Sequence, residues 1–347
     1  MDLQNIKVVQ ADYESAVNYC FKILPKVSRS FAIGIEFLAG ELQNAVLVGY
    51  LLCRIIDTIE DDKNLPWALK EKYLKEFSLC FEKQNYLVKY QKISQEIHGD
   101  HHHINLLFNV EKVFLVYHSL KKPSQEVLKK CVLEMANGMA LFVRNYPEGI
   151  RIASIPEYKE YCYYVAGTVG VLLTDLWKIH GRKIDNNIFN ELSKNAVLFG
   201  EALQTVNILK DISWDFYNEN SIYIPKNVLF EQGLSHENFL DKKNKVRSES
   251  AVKEMLVLAN KDIECSLNYL QAIPIANFRI RFFCIFPLLL AIATLNKINK
   301  SDNMLTPEKV IKVTRKQVAY IKVFSLFASL FNFLLKNNIL AKFNFLK

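Results

Sequence analysis

The chain has 347 residues and a formal charge of +8, half of its residues are apolar, and Gly (11) and Pro (9) together occur about half as often as in an average globular chain. Few breakers and long apolar runs predict long helices, and the length admits one large domain or two ordinary ones. The charge suits a polyanionic substrate, anionic lipid or nucleic acid, but there is no zinc-finger spacing, aromatic RNA-binding signature or long Arg-rich run, so nucleic acid drops out first.

From Ala11 to Phe81 the sequence reads as three helical stretches, with Pro25 and Pro66 near the breaks between them. Within it, AVLVGYLLCRIIDTIEDD is an almost wholly apolar helix that ends in acids. Residues three and four apart share a helix face, so Tyr50, Arg54, Asp57 and Asp61 form one row, with Asp62 turned away by about 100° from Asp61. The helix dipole disfavours acids at a C-terminal end, and a divalent cation would supply the missing positive charge.

The polar stretch from Glu82 to His103 reads as an exposed connection, and His101, His102 and His103 as part of a solvated loop, because adjacent side chains converge poorly on one ion. Helical patterns resume over Ile104 to Val143, Tyr158 to His180 and Ile188 to Asp215. In the last, GEALQTVNILKDISWD repeats the acidic device: Gly200, Gln204, Asn207, Asp211 and Asp215 fall on one face. Carboxylates and carboxamides are hard oxygen ligands of the kind Mg²⁺ takes together with water and phosphate. A single acid pair four residues apart is ordinary on a solvated face. Two pairs, each ending an apolar helix and each preceded by a polar residue one turn earlier, are not.

A turn-rich segment, FYNENSIYIP, and a polar stretch from Ser235 to Ser250 precede further helices. Phe282 to Leu295 is fourteen uncharged residues, short for a membrane span and suited to a buried helix. From Ala319 to Leu335, Lys322, Ser325, Ser329, Asn332 and Lys336 make a polar stripe beside Val323, Phe324, Phe327, Leu330, Phe331 and Leu334, predicting a helix that packs on the core or lies on a membrane surface. No strand-like alternation, repeat or composition break appears, so the expectation is a single all-α domain over 1–347, with 319–347 an amphipathic helix and tail. The seven Cys (20, 53, 80, 131, 162, 265, 284) form no CxxC pair and the N-terminal text lacks a signal-peptide layout, so a reduced, cytoplasmic setting is expected.

The text SRSF at Ser28–Phe31, DTIEDD at Asp57–Asp62, YCYYVAGTVG at Tyr161–Gly170, LQTVNILKDISWD at Leu203–Asp215 and FCIFPLLLAIATL at Phe283–Leu295 resembles the squalene and phytoene synthase family, and within it the squalene synthases. The resemblance runs from about Tyr19 to Lys322. It implies an all-α isoprenoid-synthase-type helical bundle around a central cavity, with two aspartate-rich helices facing each other and Mg²⁺ held by Asp57 and Asp61 on one wall and by Asp211 and Asp215 on the other. It further implies diphosphate contacts from Arg54 and Lys210, a substrate-binding set that also includes Ser28, Arg29, Phe31, Tyr50, Gln204 and Asn207, and proton transfer assisted by Tyr161. The substrate would be farnesyl diphosphate. NADPH would be held near Lys312, Arg315 and Lys316 in VIKVTRKQ, with Ser28 and Asn207 as weaker contributors. Three departures are local: Lys210 stands where the family has Arg, losing the bidentate fork, Trp214 stands where it has Glu, and Thr314 stands where the basic segment has Arg, which the neighbouring Arg315 replaces in part. Bottom-up, AGTVG is a place where small side chains let helices or substrate come close.

The resemblance predicts head-to-head condensation of two farnesyl diphosphates to presqualene diphosphate, then reduction by NADPH. A phytoene or dehydrosqualene synthase would share the first half-reaction and finish by losing a proton. A non-catalytic helical scaffold on a membrane surface would explain the charge and the C-terminal helix but neither acid row, and a terpene cyclase would carry a different motif pair.

Overall fold

The computed structural model describes residues 3–28, 30–301, 305, 311–332 and 334, and among these no β-strand forms, only an isolated bridge between Arg151 and Ile222. The chain divides into two compact units, Met1–Arg144 and Asn145–Lys347.

The first unit holds α1 (Leu3–Val27), α2 (Ser30–Phe37), α3 (Gly40–Glu60), α4 (Trp67–Glu76), α5 (Gln84–Ile93), α6 (His101–Phe108), α7 (Val110–Ser119) and α8 (Lys122–Asn145). α3 is its axis, packed by α1, α6 and α7. Leu47, Leu51, Leu52, Ile55, Ile56 and Ile59 are fully buried along it, and each such side chain contributes about 1.5–3 kcal/mol of transfer free energy. Pro25 sits in the last turn of α1, just before the break that follows Val27, and Pro66 immediately precedes α4.

Two expectations change here. The supposed connection after Glu82 contains α5, which buries Leu87, Tyr90 and Ile93 at helical spacing. The three histidines open α6, whose N-cap is Asp100, its carboxylate accepting the His102 N–H at 2.7 Å.

The second unit contains α9 (Ile155–Cys162), a π-helical turn (Tyr163–Gly167), α10 (Thr168–His180), α11 (Asn186–Glu219), α12 (Lys226–Glu231), α13 (Lys245–Ala272), α14 (Phe278–Asn299) and α15 (Arg315–Leu330). α11 is the spine, with α10 and the π turn against it and α13 also packed on it. The small residues of AGTVG make that crossing possible. A Cβ on Gly170 would lie 1.9 Å from the Ala196 carbonyl oxygen, and one on Gly200 would lie 2.1 Å from that of Ala166. α11 extends past Asp215 into FYNE and stops at Asn220, which adopts a left-handed conformation.

α3 and the stretch Ile275–Asn299 are each long and apolar enough to cross a membrane, yet both lie mostly inside the protein. α15 packs on α14 with the face opposite to the one that hydropathy suggests. Ser325, Ala328 and Ser329 are fully buried, whereas Tyr320, Val323, Phe327 and Leu330 are exposed. The serines tolerate burial because their hydroxyls donate to the helix's own carbonyls, Ser325 to Ile321 at 2.7 Å and Ser329 to Leu326 at 2.6 Å. Arg281, fully buried on α14, fixes the far end: it donates to the carbonyls of Ser329 (2.9 Å) and Ile273 (2.7 Å) and to the Asn332 side chain (2.7 Å). Lys336 and the rest of the tail from 335 lie outside the described residues.

Candidate active site

The first acid row lies where α3 ends. Phe31 and Tyr50 pack ring to ring at 5.8 Å, and the Tyr50 hydroxyl donates to the Val27 carbonyl at 2.9 Å. One turn on, Arg54 reaches the Tyr50 hydroxyl at 3.5 Å and forms an ion pair with Asp57. Burial lowers the Arg54 pKa, but Asp57, Tyr50 and Asp61 together outweigh it and the guanidinium is held firmly charged. Ser28 is buried, and its hydroxyl accepts the Phe31 N–H at 3.2 Å, so it fixes the start of α2. Arg29 lies outside the described residues.

A residue missed from the sequence completes this row. One oxygen from each of Asp57, Glu60 and Asp61 lies within 4.8 Å of the others. Glu60 is buried and its Oε1 has no hydrogen-bond partner, while the Lys70 ammonium donates to the Glu60 backbone carbonyl at 2.5 Å. Burial, then Asp61 and Asp57, push the Glu60 carboxyl well above the usual range. Three carboxylates at the negative end of a helix, one with an orphaned buried oxygen, fit a divalent cation of the hard, oxygen-seeking kind. The signal was present as Asp57 and Glu60 three residues apart, but Glu60 falls off the row of fours. His103 is a second neighbour missed, half-buried and depressed in pKa by burial and then by the charge of Arg54.

Asp62 is not part of this cluster. Its carboxylate is buried and accepts the backbone N–H groups of Asn64 (2.9 Å) and His98 (2.8 Å), so it closes the turn after α3.

The second row occupies α11. Gln204 is half-buried, Asn207 exposed, and Asp215 buried near the helix end. The Lys210 ammonium lies 3.0 Å from an Asp211 oxygen and 3.5 Å from the Asn207 side-chain oxygen. Trp214 is exposed on the same stretch. Tyr161, near the end of α9, is buried; its ring stacks on Tyr223 at 4.9 Å and its hydroxyl donates to the Tyr223 hydroxyl at 3.3 Å. Tyr223, from the turn-rich segment, carried no sequence signal of its own. Tyr158, one turn before Tyr161, ties α9 to α11 through a 3.0 Å hydrogen bond to Thr205.

Lys312, Arg315 and Lys316 are exposed around the start of α15. Thr314 is the N-cap of that helix and forms a capping box with Gln317. The three cations are therefore displayed beside a positive helix end, an arrangement suited to an anionic ligand.

An all-α chain whose two acid rows lie on long core helices has the layout of the isoprenoid-synthase class. The model for squalene/phytoene synthase matches residues 24–317, and the chain belongs to that family. It is 30% identical to the squalene synthase of Dictyostelium discoideum, over 87% of this chain and 68% of that protein. It is 29% identical to that of Candida albicans, over 85% of this chain and 64% of that one. The chain thus spans about two thirds of the length of these relatives. The solved structure of TcSQS with a bound ligand matches at a TM-score of 0.78 and 26% identity, over 90% of this chain and 86% of that one.

Proposed function

We propose that this chain is a squalene synthase, joining two farnesyl diphosphates head to head into presqualene diphosphate and reducing that with NADPH to squalene. The observation that carries the reading is the cluster of Asp57, Glu60 and Asp61, with its orphaned buried oxygen, one turn from Arg54. On this reading residues 1–347 act as one catalytic domain.

Asp57, Glu60 and Asp61 on α3, and Asp211 and Asp215 on α11, would hold Mg²⁺. When bound, the ion neutralises charge that builds on diphosphate as the C–O bond breaks. The chain's own cations act alongside. Arg54, kept charged by Asp57 and held against Tyr50, presents a guanidinium to diphosphate oxygens, and Lys210 offers a point charge beside Asp211. Departure of diphosphate leaves an allylic cation; the double bond of the second substrate attacks it, and loss of a proton closes the cyclopropane. Tyr161 assists that proton's transfer, its hydroxyl oriented by Tyr223 and its ring clamped by the stack. NADPH would supply the hydride that replaces the second diphosphate, and Lys312, Arg315 and Lys316 would take the cofactor's phosphates. No strand followed by a GxGxxG turn occurs among the described residues to offer a Rossmann site instead.

The setting proposed is cytoplasmic, with peripheral contact to a membrane through α15, where an apolar substrate and product would be exchanged. The test is incubation of purified protein with farnesyl diphosphate and Mg²⁺, with and without NADPH. Presqualene diphosphate accumulating without NADPH and squalene forming with it is the expected result. Dehydrosqualene or phytoene formed regardless of NADPH would move the protein to the other branch of its family.

A further inference from the structure

Between Lys309 and Lys347 the sequence holds eight Lys and Arg and no Asp or Glu. Residues 1–308 therefore carry 36 of each sign, and the whole formal charge of +8 resides in the last 39 residues. The same segment carries the densest apolar exposure. Of seventeen exposed large hydrophobic residues among those described, six fall within residues 320–331. Tyr320, Val323, Phe327 and Leu330 recur at steps of three and four on one side of α15, while Ser325, Ala328 and Ser329 already fill the contact with the core.

We propose that this outward face of α15 is a docking surface for an anionic lipid bilayer, with the helix lying in the plane of the interface and its basic residues meeting acidic headgroups. The inference rests on the peripheral membrane contact proposed above and assigns it a face and a lipid class. A contiguous exposed apolar face marks an interaction surface. Its charge selects the occupant. A second copy of the chain docked face to face would bring Lys322 and the rest of this positively charged segment against a surface of the same sign, whereas an anionic leaflet complements it. Insertion of the apolar side chains and attraction of the cations act together in such helices, each cation contributing about 1 kcal/mol near an anionic surface. The helix need not unfold or leave the core to dock, because Arg281 and the two buried serines hold its inner face.

The test uses the full chain and sedimentation with vesicles, either of phosphatidylcholine alone or with phosphatidylserine as about a third of the headgroups. Binding is expected to the mixed vesicles, weakening with added salt. The double variant Val323→Ser/Phe327→Ser should lower the partition coefficient by about tenfold or more, since each site loses apolar area. Lys322→Gln should lower it by about fivefold. All three residues are exposed, so the melting temperature should not move. If the wild-type chain binds neither vesicle, the peripheral membrane contact itself fails. If it binds but the double variant binds equally well, the contact survives and the assignment to this face is overturned. Equal binding to both vesicle types would overturn the anionic lipid class. A lipid-free dimer that the double variant dissociates would show that a second copy covers the face. Squalene formation in detergent is independent of all these outcomes.

Discussion

The acid row on α3 closes its helix, with Asp61 as the C-cap, whereas that on α11 sits inside a helix that runs on to Glu219. On α3 three carboxylates crowd together, and the cation paired with them, Arg54, is bonded to Asp57. On α11 the row runs from two carboxamides, Gln204 and Asn207, to two acids, and Lys210 lies directly beside Asp211. Equal DxxxD spacing thus produces two electrostatic settings. The α3 end has excess negative charge in a partly desolvated place and calls for a metal ion; the α11 row carries part of its own neutralisation.

The largest effect expected follows from that contrast. Asp57→Asn should reduce condensation by on the order of 10³-fold, because it removes a ligand charge and the partner that steers Arg54. Asp211→Asn should cost on the order of 10²-fold, with Lys210 still available to diphosphate. Presqualene diphosphate formation at saturating Mg²⁺ measures both, and near-normal turnover in either variant would sink the two-row mechanism. Mg²⁺ should also raise the melting temperature of the wild type, as any ligand of the native state does, and Asp57→Asn should abolish most of that rise. An equal rise in the two proteins would place the ion elsewhere.

Next in size is Tyr161→Phe, expected to lower kcat by about 10²-fold with KM nearly unchanged, since the stacked ring remains and only the hydroxyl goes. Damage from Tyr164→Phe with Tyr161→Phe silent would shift the assignment by one helical turn, to Tyr164. Gly200→Ala tests the scaffold beneath the α11 row. Its Cβ would meet the Ala166 carbonyl oxygen, so a loss of about 1–3 kcal/mol in stability is expected by denaturant unfolding. Deletion from Ser325 onward, by contrast, would strip buried serines and the Arg281 partners from the core, and exposed-face substitutions are the cleaner probe of membrane contact.

The helical class and both acid rows were legible because rows of three and four survive any packing. So was the close helix crossing at AGTVG, since only glycine admits contacts of the kind made by Gly170 and Gly200. What stayed hidden depended on partners far away in sequence. Helix geometry turns Asp62 away from Asp61 in DTIEDD, but its task of closing the turn shows only through the His98 amide, 36 residues on. Tyr223 reaches Tyr161 from 62 residues away. The orientation of α15 was misleading for a local reason: serine counts as polar in any periodicity, yet a hydroxyl bonded to its own helix behaves as a small residue and goes inside.

The smallest effect expected separates the two buried glutamates on the helices that carry the acid rows. Glu60 sits among carboxylates that fit a cation, whereas Glu201, on α11, has Asp262 of α13 and Lys159 of α9 as its charged neighbours, with the Cys162 thiol close by. Burial first, and Asp262 second, push the Glu201 carboxyl up to about 7, against which Lys159 acts only weakly. The folded state therefore keeps this proton over a pH range in which the unfolded chain has released it. Stability from the protonated form is complete below the unfolded value near 4.5 and is lost as pH rises through about 7. Glu201→Gln holds a neutral group of the same shape in place and should abolish that loss. At pH 8 the variant should melt a few degrees above the wild type, and at pH 5 the two should nearly coincide. A wild-type advantage at pH 8 would mean that the Glu201 carboxylate is stabilised by Lys159 and that burial is the lesser influence.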